Sequence, residues 1–415
     1  MPRCGESVNL AASAGPWVAE RVGCSRHHGV VEGEFIEQPL AGFDYSYWFD
    51  CVACGARVNI AADLYERQTT YTPPGRPADF SRCEECGTEV DVTDVRPVLR
   101  NLNDIALQDD SVARLYWYHS SPYENWPDPQ AYAAEFVARI SKGPSHGAFT
   151  LQELLEQHTS RAVHIGTYEA AIENMLRRLH DQDRHDGAPA RYWLHRVQIH
   201  LEPGDLASDV GEELADWMGN VPLSMLHERG GARAVRYVNT NEADGSVSVA
   251  IDPTAIATVA TTEIPVESVA VETAAAAAAT AKAVTALAEI AHLRPDTTGV
   301  DELPLRFRSA LKRTFPDAAD PERQRIEAIA EKLGAYNTQR VQIWALLKSA
   351  LESEYLPEVN DQVRRRFHDA LPHTDDPVHY HRSIRLLGAL LARPGDVIAE
   401  LAHAPVRTIN NAGRQ

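Results

Sequence analysis

Cys51-Val-Ala-Cys54-Gly55-Ala-Arg-Val58-Asn-Ile60 and Cys83-Glu-Glu-Cys86-Gly87-Thr-Glu-Val90-Asp-Val92 are two copies of one pattern, with 28 residues between Cys54 and Cys83. Each copy sets two thiols one tight turn apart. The glycine after the second cysteine permits a positive φ, and the alternating apolar positions that follow form the return strand of a hairpin. Two such knuckles facing each other bring four sulfurs to the corners of a tetrahedron. That geometry leaves no open coordination position, so a metal held there stabilises the fold and does no chemistry.

The paired knuckles resemble a zinc ribbon, with Cys51, Cys54, Cys83 and Cys86 as ligands of a structural zinc. Four reduced thiols in unrelated turns, a redox pair or an iron–sulfur site use the same residue types. Cys4, Cys24, His27 and His28 offer a second, irregularly spaced metal set.

The 415 residues carry 59 acidic and 40 basic side chains, a formal net charge of -19. Such a surface repels phosphate backbones and anionic bilayers, so nonspecific nucleic-acid binding and membrane association are not expected. Residues 1–10 contain one early Arg3 and no apolar run behind it, unlike a secretory signal, and no window approaches ~18 uninterrupted apolar residues. The expected location is the cytoplasm, with thiols reduced or bound to metal.

The chain reads as α+β with an unassigned segment 1–40, the ribbon at 41–100, a mixed domain at 101–256, an Ala-rich linker at 257–295 and a helical domain at 296–415. In the mixed domain, Asp128-Pro129 opens a helix carrying Tyr132, Phe136, Val137 and Ile140, and Thr150 with Glu153 has capping-box spacing. Arg191 to Leu201 alternates as a strand, and Ala234 to Val238 with Val247 to Ile251 reads as a hairpin around Asp244-Gly245. The Ala274 to Ala279 run favours helix but has few large side chains to anchor, so it reads as a spacer. Asp320-Pro321, Ile326, Ile329 and Leu333 with Gly334 behind them mark a helix with both ends signalled. Runs at 341–351, 359–371 and 378–391 add further helices of a small bundle. Arg364-Arg365-Arg366 reads as a solvated face, and His368, His373, His379 and His381 as part of an exposed loop.

Three segments of the mixed domain together resemble ADP-ribosyltransferase-like domains of the type found in phage and mobile-element proteins. They are Arg114-Leu-Tyr-Trp-Tyr-His119-Ser120-Ser121-Pro122, Val163-His164-Ile-Gly166-Thr167-Tyr168-Glu-Ala-Ala171, and Arg236-Tyr237-Val-Asn239-Thr-Asn-Glu242-Ala-Asp-Gly245-Ser246-Val-Ser248. The resemblance covers about 140 residues, Leu115 to Ile256. It implies NAD as substrate, cleavage of the nicotinamide–ribose bond, and either transfer to an unidentified protein acceptor or hydrolysis. Glu242 would stabilise the oxocarbenium-like centre. His119 and Ser120 would hold the adenosine-side ribose. From His164 onward the second segment lines the cleft: Gly166 admits the ligand to the backbone, Thr167 caps the helix and Tyr168 lies over the nicotinamide. Taken singly, His119 also reads as the edge of an aromatic core, His164-x-Gly-Thr as a strand end with a cap, and Glu242 as a solvated turn residue. A noncatalytic adaptor, in which ribbon and bundle bind protein partners, is the competing expectation.

Overall fold

The computed structural model describes residues 34–69, 80–92, 95–128, 160–181, 191–213, 220–294 and 321–409, with single positions between 133 and 159. Tyr132, Phe136 and Ile140 of the expected helix, Thr150 of the capping box, and Cys4, Cys24, His27 and His28 lie outside the described residues. The described residues from Phe35 onward belong to one compact unit. The architecture is mixed α+β.

The first hairpin pairs β1 (Tyr47–Asp50) with β2 (Arg57–Ile60) antiparallel, Tyr47 opposite Ile60 and Asp50 opposite Arg57. Alternation decides its faces: Tyr47, Phe49, Val58 and Ile60 point inward and are buried. After α1 (Ala62–Thr69), β3 (Ser81–Arg82) and β4 (Glu89–Val90) repeat the hairpin in miniature. Gly55 and Gly87 take φ of +73° and +72°, and each donates its N–H to the carbonyl of the first cysteine of its knuckle, 2.8 Å away.

The body follows. A short α2 (Asp109–Val112) precedes β5 (Trp117–Ser121); β6 (Val163–Ile165) leads into α3 (Tyr168–Asp181). Then come β7 (Tyr192–Ile199), β8 (Leu206–Glu212), α4 (Leu223–His227), β9 (Ala234–Val238), β10 (Val247–Ile251) and β11 (Ile256–Ile264). The C-terminal part comprises α5 (Ala274–Ile290), α6 (Pro321–Tyr355), α7 (Asp361–Ala370), α8 (Pro377–Ala392), α9 (Pro394–Ala402) and β12 (Val406–Thr408).

Two four-stranded sheets result, ordered β12-β11-β7-β5 and β6-β10-β9-β8. They meet where Tyr118 and Gly166 exchange backbone hydrogen bonds of 2.9 Å. Trp117, Ile165, Val197, Ile199, Val247, Val249, Ile251 and Val259 belong to one buried cluster to which both sheets contribute. Each such side chain contributes about 1.5–3 kcal/mol on burial. Tyr192, Leu194, Ala260 and Ile264 lie in a second cluster, continuous with Tyr47 and Phe49 of β1, Ile172 and Met175 of α3, and Phe367, Leu390 and Leu401 of the C-terminal helices.

That shared core changes the domain reading. Residues 257–264, expected as the start of a spacer, are β11, hydrogen-bonded to β7 on one side and to β12 on the other. The alanine run does form a helix, capped by Thr273 Oγ1 accepting from Ala276 N, but α5 packs on α6 and α8 rather than spanning open solvent. Among the described residues one helix, Ala274–Leu293, is long and apolar enough by length and composition to cross a membrane; Ala276, Thr280, Ala283 and Ile290 on it are buried. Gly334 does not end its helix. It keeps helical backbone, Thr338 Oγ1 donates to its carbonyl at 2.9 Å, and the two expected helices are one 35-residue α6.

The C-terminal side chains also depart from expectation. Arg366 is not solvated: its Nη1 lies 2.5 Å from Glu173 Oε2 on α3. His368 sits on α7 with Nε2 2.5 Å from Glu352 Oε1. His381 is buried on α8 between Thr280 Oγ1 and the Tyr355 hydroxyl, each 2.9 Å away. Asn360 seals the junction: its Oδ1 caps α7 through Val363 N at 2.9 Å, while its Nδ2 and N donate to Tyr45 O and Phe43 O.

Candidate functional site

The knuckles close on each other as their spacing requires. Cys51 Sγ lies 3.6 Å from Cys86 Sγ, Cys54 Sγ lies 3.6 Å from Cys83 Sγ, and all four sulfurs fall within 4.8 Å of one another. A tetrahedron with metal–sulfur bonds of about 2.3 Å has sulfur–sulfur edges of about 3.8 Å, so the four residues fit a metal site. Cys51 and Cys83 are buried, Cys54 and Cys86 exposed.

A second polar constellation runs along the line where β5, β6, α3 and the β9–β10 turn meet. Ser120 Oγ accepts from Asn174 Nδ2 at 3.5 Å, Asn174 Oδ1 accepts from Arg177 Nη2 at 3.2 Å, and Arg177 Nε donates to Glu242 Oε1 at 2.6 Å. Asn174 and Arg177 are three residues apart, so one face of α3 presents both. Asn239 shapes the turn beyond. Its Oδ1 accepts from Glu242 N at 3.1 Å and its Nδ2 donates to Ser248 Oγ at 3.1 Å. His164 Nδ1 lies 2.7 Å from the Tyr237 hydroxyl. Burial, then the charges of Glu213 and Glu242, push that phenol well above its ordinary range. Glu213 Oε2 accepts from Thr240 N, Thr240 Oγ1 and Asn241 Nδ2 at 3.3, 3.0 and 2.8 Å. Burial and the neighbouring Glu242 carboxylate raise its pKa.

Ser120, His164 and Glu242 thus lie on this seam, and Glu242 is 8% exposed rather than solvated in its turn. His119 alternates to the opposite face of β5. Its ring stacks on Trp126 with centroids 4.2 Å apart, and its Nδ1 lies 2.8 Å from His164 O. Burial brings its pKa down to about 3, so the ring is neutral, and a carbonyl partner assigns the proton to Nδ1. Gly166 admits Ser248: a Cβ there would stand 2.6 Å from Ser248 Oγ. Thr167 caps α3 by accepting from Ala170 N at 3.2 Å. Tyr168 does not reach the seam. It is buried beneath α8, its hydroxyl donating to Leu390 O at 2.9 Å, and Tyr237 is the aromatic hydroxyl at the seam instead.

Asn174, Arg177 and Glu213 belong to none of the three quoted segments, and Tyr237 stands in the third without a role of its own. The available signal was the i, i+3 pair of polar residues on the helix that follows the His164 motif. Beside the seam a groove of about 600 Å³ opens between the β1–β2 hairpin and the second sheet, lined by Asp50, Arg57, residues 95–99, Leu102, Val210, Gly211, Val238 and Thr240.

Comparisons with known protein families, curated proteins and solved structures give no match to this chain.

Two residues past Glu242, the Asp244 carboxylate is 1% exposed and neither oxygen has a hydrogen-bond partner among the described residues. Burial pushes its pKa up to about 7 against the pull of Arg366, with Glu173 and Glu242 adding repulsion and Arg100 opposing it. A carboxyl whose folded pKa is raised leaves stability intact below the unfolded value of about 3.9 and costs it progressively as pH rises toward 7. Asp244→Asn should therefore gain stability over the parent between pH 4.5 and pH 7.5 in urea titrations, by at most about 4 kcal/mol. A difference that is the same at both pH values would contradict this.

Proposed function

We propose that the chain acts on NAD as a glycohydrolase or ADP-ribosyltransferase, with Glu242 as the carboxylate that stabilises the ribosyl cation. The observation that carries this reading is the hydrogen-bonded line from Ser120 through Asn174 and Arg177 to Glu242, which brings the first strand and the last hairpin to one seam. In the reaction the C1′–N bond breaks, nicotinamide leaves with the electron pair, and water or an acceptor side chain adds to C1′ and loses a proton. Positive charge develops at C1′ only in the transition state, where an oriented carboxylate in a partly desolvated cleft acts most strongly. Arg177 orients Glu242; Ser120, His164 and Tyr237 supply hydroxyl and imidazole contacts for ribose.

The metal centre is read as zinc: four thiolates in a closed tetrahedron suit that ion, and bound zinc would supply a cross-link, not chemistry. Metal analysis should find about one zinc per chain, lost in Cys51→Ser and Cys83→Ser. A folded, metal-free protein would refute it.

A second reading, a noncatalytic adaptor, is favoured by Val52, 77% exposed at the tip of the first knuckle, where a partner can dock. The two readings separate on incubation with NAD labelled in the adenylate and in the nicotinamide. The enzyme reading expects nicotinamide release that falls roughly 100-fold in Glu242→Gln. No release and no transfer of label to any acceptor would leave the adaptor.

A further inference from the structure

The segment 98–100 is hydrogen-bonded on one side to the ribbon and on the other to the turn that carries Glu242. Val98 N donates to Trp48 O of β1 at 2.8 Å, and Arg57 of β2, its guanidinium 4.5 Å from the centre of the Trp48 ring, donates to Leu99 O. From the same three residues, Arg100 N donates to Gly245 O at 2.7 Å and Arg100 Nη2 to Ala243 O at 3.4 Å, while its guanidinium stacks 4.1 Å from the Tyr45 ring. The approach is tight: a Cβ on Gly245, whose φ is +81°, would stand 2.6 Å from Val98 O. Ala243 holds a φ of +49°, a conformation an alanine keeps only where its surroundings impose it.

The hairpin at the other end of this strap has four-residue strands, so its shape depends on two supports, the inner face set in the shared core and the cysteine knuckle at its turn. Its turn is the first knuckle itself, closed where Cys51 N donates to Ala56 O at 2.8 Å. Cys54 and Cys86 are exposed, so a chelator can reach the centre from solvent.

We propose that the four-cysteine centre governs the seam: with metal bound, the β1–β2 hairpin holds the 98–100 strap against residues 243–245 and keeps Glu242 on Arg177, and removal of the metal lets the strained turn relax and swing Glu242 away. The regulatory sense of this lever rests on the reading of Glu242 as the reactive carboxylate; the mechanical coupling does not. Val98, Arg100 and Gly245 are positioning residues.

Amide hydrogen exchange on the full-length protein, zinc-loaded and after treatment with a strong chelator, reads the coupling without any dinucleotide. The N–H groups of Asn239, Gly245 and Ser246 are bonded within the turn, to Ser246 O, Asn239 O and Ala243 O. Chelation should accelerate their exchange roughly tenfold or more while β7 and β11 stay protected. Arg100→Ala should retain its zinc, show fast exchange in the turn from the outset, and respond little to chelation. Equal exchange of the turn with and without metal would overturn the proposal. So would acceleration of turn and central strands together, or an Arg100→Ala turn as protected as the parent's. A protein that shows the coupling but releases no nicotinamide removes the chemistry and keeps the lever; the converse removes the lever alone.

Discussion

The Glu173 side chain has no exposed surface, and a carboxylate so placed must be paired or it destabilises the fold. Its two oxygens are answered from opposite ends of the chain. Tyr45 donates its hydroxyl to Oε1 at 2.6 Å, and Arg366 reaches Oε2 at 2.5 Å. Removing one partner of a buried pair typically costs about 3–5 kcal/mol, because the charge left behind cannot be hydrated. The pair therefore demands that the lead into β1, helix α3 and helix α7 stay together. Glu169, one turn earlier on α3, adds a second tie: its Oε1 accepts the N–H groups of Ala41 and Gly42 at 2.8 and 2.9 Å.

With α3 fixed in this way, the residues that follow Glu173 have a defined direction. Asn174 and Arg177 face Ser120 and Glu242, so the helix that bolts the core on one side presents the polar seam on another. In the Arg177–Glu242 pair the arginine side chain is 34% exposed and the carboxylate 11%, so the guanidinium meets solvent and holds the carboxylate in one orientation. The turn beyond it is held by Asn239 from within and by the 98–100 strap from without. Scaffold and seam are thus one hydrogen-bonded construction rather than a catalytic module with appended domains.

What the sequence disclosed follows from how local each signal was. The two knuckles and the β9–β10 hairpin are written in adjacent residues, glycines and turn chemistry included, and the structure contains both. β11 was hidden because Ile-Ala-Thr-Val-Ala-Thr-Thr-Glu-Ile has small, polar-looking composition; it becomes a strand through partners on β7 and β12 that no local pattern announces. Arg366 looked like one of three solvated arginines because its carboxylate lies 193 residues earlier. Tyr168 and His119 were placed by resemblance to a motif, and strand alternation together with the packing of α8 turned both rings elsewhere. Ser120 and Glu242 meet through Asn174 and Arg177, whose importance depends on α3 lying across β5.

The claim on which the functional account stands is that Glu242 faces a bound dinucleotide. A crystal structure with a non-hydrolysable NAD analogue tests it most directly. The account predicts the nicotinamide-side ribose within hydrogen-bonding distance of Glu242, with Ser120 or Asn174 on the same ligand. An analogue seated only in the groove beside Arg57 and Leu102, or no binding at millimolar concentration, would contradict it.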